Sequence, residues 1–193
     1  MIDWQEKIHE AALDGFLATG FMVLDGVFSE TFVRALQDES GFLEYKAATL
    51  THGEREIAIR GDNIRWIDEQ CDAGMAYLNE MEAFGRFFNQ AFYAGIRRAE
   101  AHYACYPVGF GYDWHKDNPR GRDERVISAV YYLNDDWAAA DGGAIELVDK
   151  NGETQVLMPD ANRLVVFDSN LLHKVAITQR VRYSIATWLR KDD

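Results

Sequence analysis

The sequence predicts an α+β fold, mainly β: a sandwich or jelly roll formed by the second half of the chain and supported by helices from the first. Three observations predict it. From Ala101 onward, seven apolar runs of strand length alternate with turn-forming residues. Before Ala101, apolar residues recur at helical spacing over longer windows. The chain has 193 residues, 48% hydrophobic and 27% charged, the length and composition of one compact domain that buries a core without disulfides or structural metal. We therefore expect a single domain over 1–193, with helix-rich support over 1–100 and a jelly-roll core over 101–190.

The elements follow in order. Residues 4–17 carry Trp4, Ile8, Ala11 and Ala12 on one helical face, and 31–36 follow Ser29, a residue suited to an N-cap. Between them Gly20-Phe21-Met22-Val23-Leu24-Asp25 reads as a short buried strand. Residues 43–57 are polar and weakly periodic, a mobile flap or a passive surface hairpin. Residues 74–96 form a helix whose stripe of Met75, Leu78, Met81, Phe84, Phe88, Phe92 and Ile96 is core packing. The strands expected after that are 102–106, 126–133, 144–148, 155–158, 164–167, 173–177 and 183–189. Asn151-Gly152 between two of them is a hairpin signal.

Charge and cysteine usage narrow the function classes. The net charge is −12, so an acidic surface repels phosphate backbones and direct nucleic-acid binding is not expected. Arg120, Arg122 and Arg125 gather after Pro119, facing an acidic partner segment or lying in a solvated loop. Cys71 and Cys105 form no metal-type pair, and Cys105 reads as a reduced, buried thiol. The first residues lack a secretory signal, and no apolar run nears the roughly 20 residues that span a bilayer. A cytoplasmic monomer without membrane contact is expected.

Chemistry concentrates in His115-Lys116-Asp117, His173 and Arg182. On an extended segment, residues i and i+2 project to one side, so His115 and Asp117 can chelate one ion together. His173 must arrive from a distant strand. Two imidazoles and a carboxylate leave adjacent coordination positions open, as in non-haem Fe(II) oxygenases, and zinc hydrolases use the same ligand types. His9, His52 and His102 receive no ligand role. Alternation in Arg182-Tyr183-Ser184-Ile185-Ala186-Thr187-Trp188 puts Arg182, Ser184, Ala186 and Trp188 on one face. A buried arginine there calls for an anion, and a dicarboxylate clamped bidentately supplies one.

Several longer stretches carry a resemblance. They are Ile59-Arg60-Gly61-Asp62-Asn63-Ile64-Arg65-Trp66-Ile67, Ala104-Cys105-Tyr106-Pro107, Gly111-Tyr112-Asp113-Trp114-His115-Lys116-Asp117-Asn118-Pro119, Tyr131-Tyr132-Leu133-Asn134-Asp135-Asp136-Trp137, Gly142-Gly143 and the Arg182 strand. With them the chain resembles the Fe(II)/2-oxoglutarate-dependent prolyl 4-hydroxylases of the oxygen-sensing (HIF-type) clade, in a bacterial form, from about Gly20 to Trp188. The resemblance implies a double-stranded β-helix core, Fe(II), 2-oxoglutarate and O2 as cofactor and co-substrates, and ascorbate as reductant. It implies that His115, Asp117 and His173 ligate iron and that Arg182 and Tyr132 hold the distal carboxylate of 2-oxoglutarate. Tyr106 would line the pocket near the iron-chelating end, and Ile145 would pack on the co-substrate methylenes.

The same resemblance assigns the substrate side. Tyr112 and Trp188 would wall the reaction chamber, Asp62 and Arg125 would pair to link the flap base to the metal-bearing loop, and Trp66 would support the peptide-binding surface. Residues 43–57 would be the flap. Two departures bear on the substrate: the loop from Tyr106 to Tyr112 is one residue shorter than in the animal enzymes, and the chain stops soon after Trp188, without the C-terminal helix of some relatives. Asp117 is present where halogenating relatives carry a small residue, which favours hydroxylation. The implied reaction is 4-hydroxylation of a prolyl residue in a cytosolic protein, with elongation factor Tu, the substrate of bacterial members of this clade, as candidate partner. The alternatives are a hydroxylase of a free amino acid or other small molecule, and a catalytically silent binding module.

Overall fold

The computed structural model describes residues 1–49, 59–118 and 122–192. Its helices are α1 (Trp4–Lys7), α2 (Glu10–Thr19), α3 (Glu30–Phe42) and α4 (Asp72–Phe92). Its strands are β1 (Phe21–Asp25), β2 (Lys46–Ala47), β3 (Asn63–Trp66), β4 (Arg98–Tyr106), β5 (Tyr112–His115), β6 (Arg125–Tyr132), β7 (Ile145–Val148), β8 (Thr154–Leu157), β9 (Arg163–Asp168), β10 (His173–Val175) and β11 (Arg182–Arg190). A seven-stranded sheet runs β1-β9-β6-β11-β4-β3-β2, and a four-stranded sheet runs β5-β10-β7-β8. Every strand pairing is antiparallel, so the fold is mostly β, two sheets facing each other as a jelly roll.

Strand alternation decides what faces what. On β9, Leu164 and Val166 join the helix-covered core, while Val165 and Phe167 face the smaller sheet. On β6, Ile127, Ala129 and Tyr131 face the helices, and Tyr132 joins Ile145 and Leu147 between the sheets. The same rule turns Ile185 and Leu189 of β11 outward to α4 and leaves Arg182, Ser184 and Trp188 for the interior between the sheets.

The helices close the outer face of the larger sheet. The helix expected over 4–17 is two helices. Ile8 leaves helical geometry (φ −114°, ψ 107°) while staying buried, so both pieces still place apolar residues on one core and the periodicity continues through the break. Asp3 caps α1 and Ser29 caps α3, each accepting backbone N–H groups of the first turn. At α4 the N-cap residue Cys71 makes no side-chain cap. Glu39 of α3 replaces it, accepting from the N–H groups of Ala73 (2.9 Å) and Gly74 (2.8 Å), and from the Tyr103 hydroxyl (2.6 Å). This joins α3, α4 and β4 at one carboxylate.

All seven strands expected after Ala101 are present, with ends shifted by a few residues. Three others lack an apolar run: β2, β3 and β5. β1, β2 and β3 precede residue 101 and still belong to the larger sheet, so the first hundred residues contribute an edge as well as the support. Of the expected flap, 43–49 holds β2, paired with β3, and 50–57 lies outside the described residues. Among the described residues, no helix is long and apolar enough to cross a membrane. Both cysteines are free; Cys71 is buried and Cys105 half-buried.

Candidate active site

The two sheets enclose a cavity of about 550 Å³ whose floor is built by β5 and β10. These strands pair so that His115 and His173 are Cα partners, which brings residues 58 apart in sequence side by side. Asp117 follows two positions after His115, where its N–H donates to the Ser169 carbonyl at 3.2 Å. The ligand atoms of His115, Asp117 and His173 all lie within 4.8 Å of one another. His115 Nε2 is 3.8 Å from Asp117 Oδ1, and His173 Nε2 is 3.7 Å from Asp117 Oδ2.

Surrounding contacts orient each of the three. The Nδ1 atoms lie 2.7 Å from the Asp113 carbonyl in His115 and 2.9 Å from the Leu171 carbonyl in His173. A carbonyl only accepts, so both Nδ1 atoms carry hydrogen and both Nε2 lone pairs point to the shared centre. Tyr112 stacks on His115 with centroids 3.6 Å apart, and Phe167 meets His173 edge-on. The Ser128 hydroxyl donates to Asp117 Oδ2 and contacts the Ser169 hydroxyl.

Electrostatics keep the cluster in the ligand-ready form. Burial pushes His115 down to about 4, helped by His173 and opposed by Asp117, so its imidazole is neutral near pH 7. Burial raises the Asp117 pKa, but His173, His115 and the Ser128 hydroxyl outweigh it, and the net direction is down. Two imidazoles and one carboxylate, held on one side, fit a ferrous ion with open positions.

Arg182 stands on β11 in register with Tyr106 of β4 and is 1% exposed. Its Nε donates to the Gly143 carbonyl (2.9 Å) and Nη1 to the Ser184 hydroxyl (3.1 Å). Its guanidinium carbon lies 4.9 Å from the Tyr106 ring centroid and 5.0 Å from that of Tyr132. No carboxylate among the described residues forms an ion pair with it. The buried Tyr132 hydroxyl beside it has no well-aligned hydrogen-bond partner. An uncompensated guanidinium and an orphaned hydroxyl are what a carboxylate of a bound acid would satisfy, so the residues fit 2-oxoglutarate. Ile145, 1% exposed, lines the cavity with them. Tyr106, expected near the iron-chelating end, has its ring against Arg182.

The mouth gathers the other expected residues. Asp62, Trp66, Tyr112, Arg125 and Trp188 all line the cavity. Trp66 is 45% exposed at the rim, 6.2 Å from Trp188. The expected Asp62–Arg125 pair is corrected by the structure. Both Asp62 oxygens are taken by Arg60, two residues away, at 2.8 and 3.1 Å. Arg125 instead pairs with Glu100 at 3.0 Å, donates to the Asp117 carbonyl and covers the Trp188 ring at 3.7 Å. Glu100 holds Arg190 as well, at 2.8 Å. Of the basic group expected after Pro119, Arg122 is exposed at the mouth and Arg120 lies outside the described residues. Glu100, His102, Ser128 and Ser184 were not singled out by motif, and Arg60 stood in the Arg60-Gly61-Asp62 stretch without a role. For Ser128 and Ser184, strand alternation alone marks the inward face.

The comparisons with known proteins agree with this geometry. A family model described as the 2OG-Fe(II) oxygenase superfamily matches residues 101–190. Human Egl nine homolog 1 is 34% identical over 166 residues, which cover 81% of this chain and 38% of that protein, so the chain spans well under half the length of this relative. The structure of a Pseudomonas putida prolyl-4-hydroxylase is 34% identical, with a TM-score of 0.85, covering 95% of this chain and 98% of that one. A prolyl hydroxylase from Trichoplax adhaerens, in complex with a hypoxia inducible factor oxygen degradation domain peptide fragment, is 25% identical with a TM-score of 0.87, covering 99% and 94%. The family uses Fe(II), 2-oxoglutarate and O2, which the His/Asp/His cluster and the carboxylate-seeking Arg182 end accommodate. This chain belongs to the prolyl hydroxylase family of Fe(II)- and 2-oxoglutarate-dependent oxygenases.

Proposed function

We propose that this chain hydroxylates the 4-position of a prolyl residue in a partner protein, coupled to conversion of 2-oxoglutarate to succinate. One observation carries the reading: a single cavity holds a His/Asp/His cluster at its floor and a buried guanidinium without a carboxylate at its far wall. In this reading His115, Asp117 and His173 hold Fe(II), Arg182 and Tyr132 bind the distal carboxylate of 2-oxoglutarate, Tyr106 and Ile145 line its pocket, and Tyr112 and Trp188 wall the space for the substrate. Iron supplies oxygen activation when bound. The protein's own part is to orient 2-oxoglutarate, exclude water with Ile145, Phe167 and Trp188, and present the target carbon to the floor.

A macromolecular substrate is favoured by the mouth. Trp66 is 45% exposed, and Lys116, Arg122 and Arg125 line the same cavity, so aromatic and basic groups are offered to a peptide segment. The Trichoplax relative holds a peptide fragment, which supports a protein loop as the ligand class. Elongation factor Tu is our candidate substrate, on the resemblance to the bacterial enzymes, and a monomer acting in the cytoplasm is the expected form. Incubation with Fe(II), 2-oxoglutarate, ascorbate and elongation factor Tu tests the proposal by mass spectrometry. We expect one added oxygen on a proline, with one succinate formed per modified site. Succinate coupled to a free amino acid, with no modified protein, overturns the substrate class.

A further inference from the structure

We infer that His102 is a specificity-determining residue of the chamber, whose Nε2 accepts a hydrogen bond from the amide N–H of the residue that follows the target proline. The inference rests on the prolyl hydroxylase reading and deepens it. His102 stands on the cavity face of β4 with Ala104 and Tyr106, while Ala101 and Tyr103 turn into the helix-covered core. It is 2% exposed and held between two indoles, with Trp66 edge-on at 5.1 Å and Trp188 tilted at 5.3 Å.

The tautomer follows from one contact. His102 Nδ1 lies 3.2 Å from the Tyr103 carbonyl oxygen. That oxygen only accepts, so Nδ1 carries the hydrogen and Nε2 is left with a lone pair. Among the described residues Nε2 has no hydrogen-bond partner. Burial drives the imidazole down to about 4, against the pull of Asp62 and with a further push from Arg60 and Arg125, so the ring is neutral near pH 7. The ring is 2% exposed, so this lone pair has little water to bond. Here it borders the chamber, where a ligand brings the donor.

The surroundings select the kind of donor. The charges near this ring are paired, Arg60 with Asp62 and Arg125 with Glu100, so a neutral donor fits without adding an unpaired charge. The two indoles packed on the ring give it an apolar border, which suits a peptide group rather than a hydrated one. Proline itself has no N–H. The first amide donor next to the target, present in prolyl peptides of almost any sequence, belongs to the following residue.

The test compares acetyl-Gly-Ala-Pro-Gly-Gly-amide with its analogue carrying N-methylglycine directly after the proline. Binding to the anaerobic holoenzyme, loaded with Fe(II) and 2-oxoglutarate, is read by tryptophan fluorescence for the wild type, His102→Met and His102→Gln. The wild type should prefer the unmethylated peptide about tenfold, the worth of one neutral hydrogen bond. His102→Met should bind both alike, and His102→Gln should restore the preference. Crossing peptide and side-chain changes cancels what either does alone. A preference kept in His102→Met, no preference in the wild type, or no binding of either peptide to it overturns the inference. Admitting air then asks a separate question: a bound peptide that gains no oxygen and yields no succinate refutes the hydroxylase reading, while leaving the discriminating subsite in place.

Discussion

Replacing Arg182 with methionine separates the co-substrate clamp from ordinary packing. Arg182 is 1% exposed and, among the described residues, donates from Nε to Gly143 and from Nη1 to Ser184, leaving donors for a carboxylate. Removing one partner of a buried, hydrogen-bonded charge pair costs about 2–5 kcal/mol. The dissociation constant for 2-oxoglutarate should therefore rise roughly 30- to 4,000-fold. The ligand-free protein should lose little, because methionine also removes a charge whose burial no carboxylate offsets. Thermal unfolding with Mn(II) and 2-oxoglutarate at about 100 times the wild-type dissociation constant reads both effects. Ligand linkage adds about 2.7 kcal/mol to the wild type, or roughly 5–11 °C. With affinity down 30-fold the same ligand adds at most about 0.9 kcal/mol, or roughly 2–4 °C. An equal 2-oxoglutarate shift in both proteins refutes the clamp.

Three further outcomes are expected. Ser128→Ala removes the hydroxyl that donates to Asp117 and should weaken Fe(II) binding about 10- to 100-fold by anaerobic calorimetry, with little change in fold. His102, buried and held down to about 4 against an ordinary value near 6.5, is neutral in the folded state where the unfolded chain takes up a proton. The wild type should lose about 3 kcal/mol to this group as pH falls from 6.5 to 4, with no cost above that window. Urea unfolding across pH should show a shallower acid limb in His102→Met, and identical limbs refute the assignment. Gly111→Ala drives a Cβ into the Val175 carbonyl, so β5 and β10 must separate. It should cost about 1–3 kcal/mol in urea unfolding and weaken metal binding, since the same pairing aligns His115 with His173.

What the sequence made legible follows from where its signals come from. Most strands after Ala101 announce themselves by an apolar run between turn formers, buried in β4, β6, β9 and β11. β3 and β5 do not, since Asn63-Ile64-Arg65-Trp66 and Tyr112-Asp113-Trp114-His115 are held by their neighbours, with Ile64, Trp66, Tyr112 and His115 lining the cavity rather than a core. Helical periodicity found the packing of Trp4 and Ile8 but not the break after Lys7, which leaves the buried face intact. The floor triad was readable from its order, His115 and Asp117 two apart with His173 on a later strand, although Asp117 lies in a bend just past β5. The Arg60–Asp62 and Arg125–Glu100 pairs were not, because partner choice depends on distances that the order of residues leaves open. The role of His102 was hidden for the same reason: a lone histidine acquires meaning only from Trp66, Trp188 and the Tyr103 carbonyl around it.

The central claim is that His115, Asp117 and His173 hold one iron at the floor of the cavity. Anaerobic calorimetric titration of Fe(II) into the wild type and into His115→Ala, Asp117→Ala and His173→Ala tests it most directly. We predict one site per wild-type chain and its loss in each variant. Unchanged stoichiometry and affinity in His173→Ala or Asp117→Ala would contradict the account.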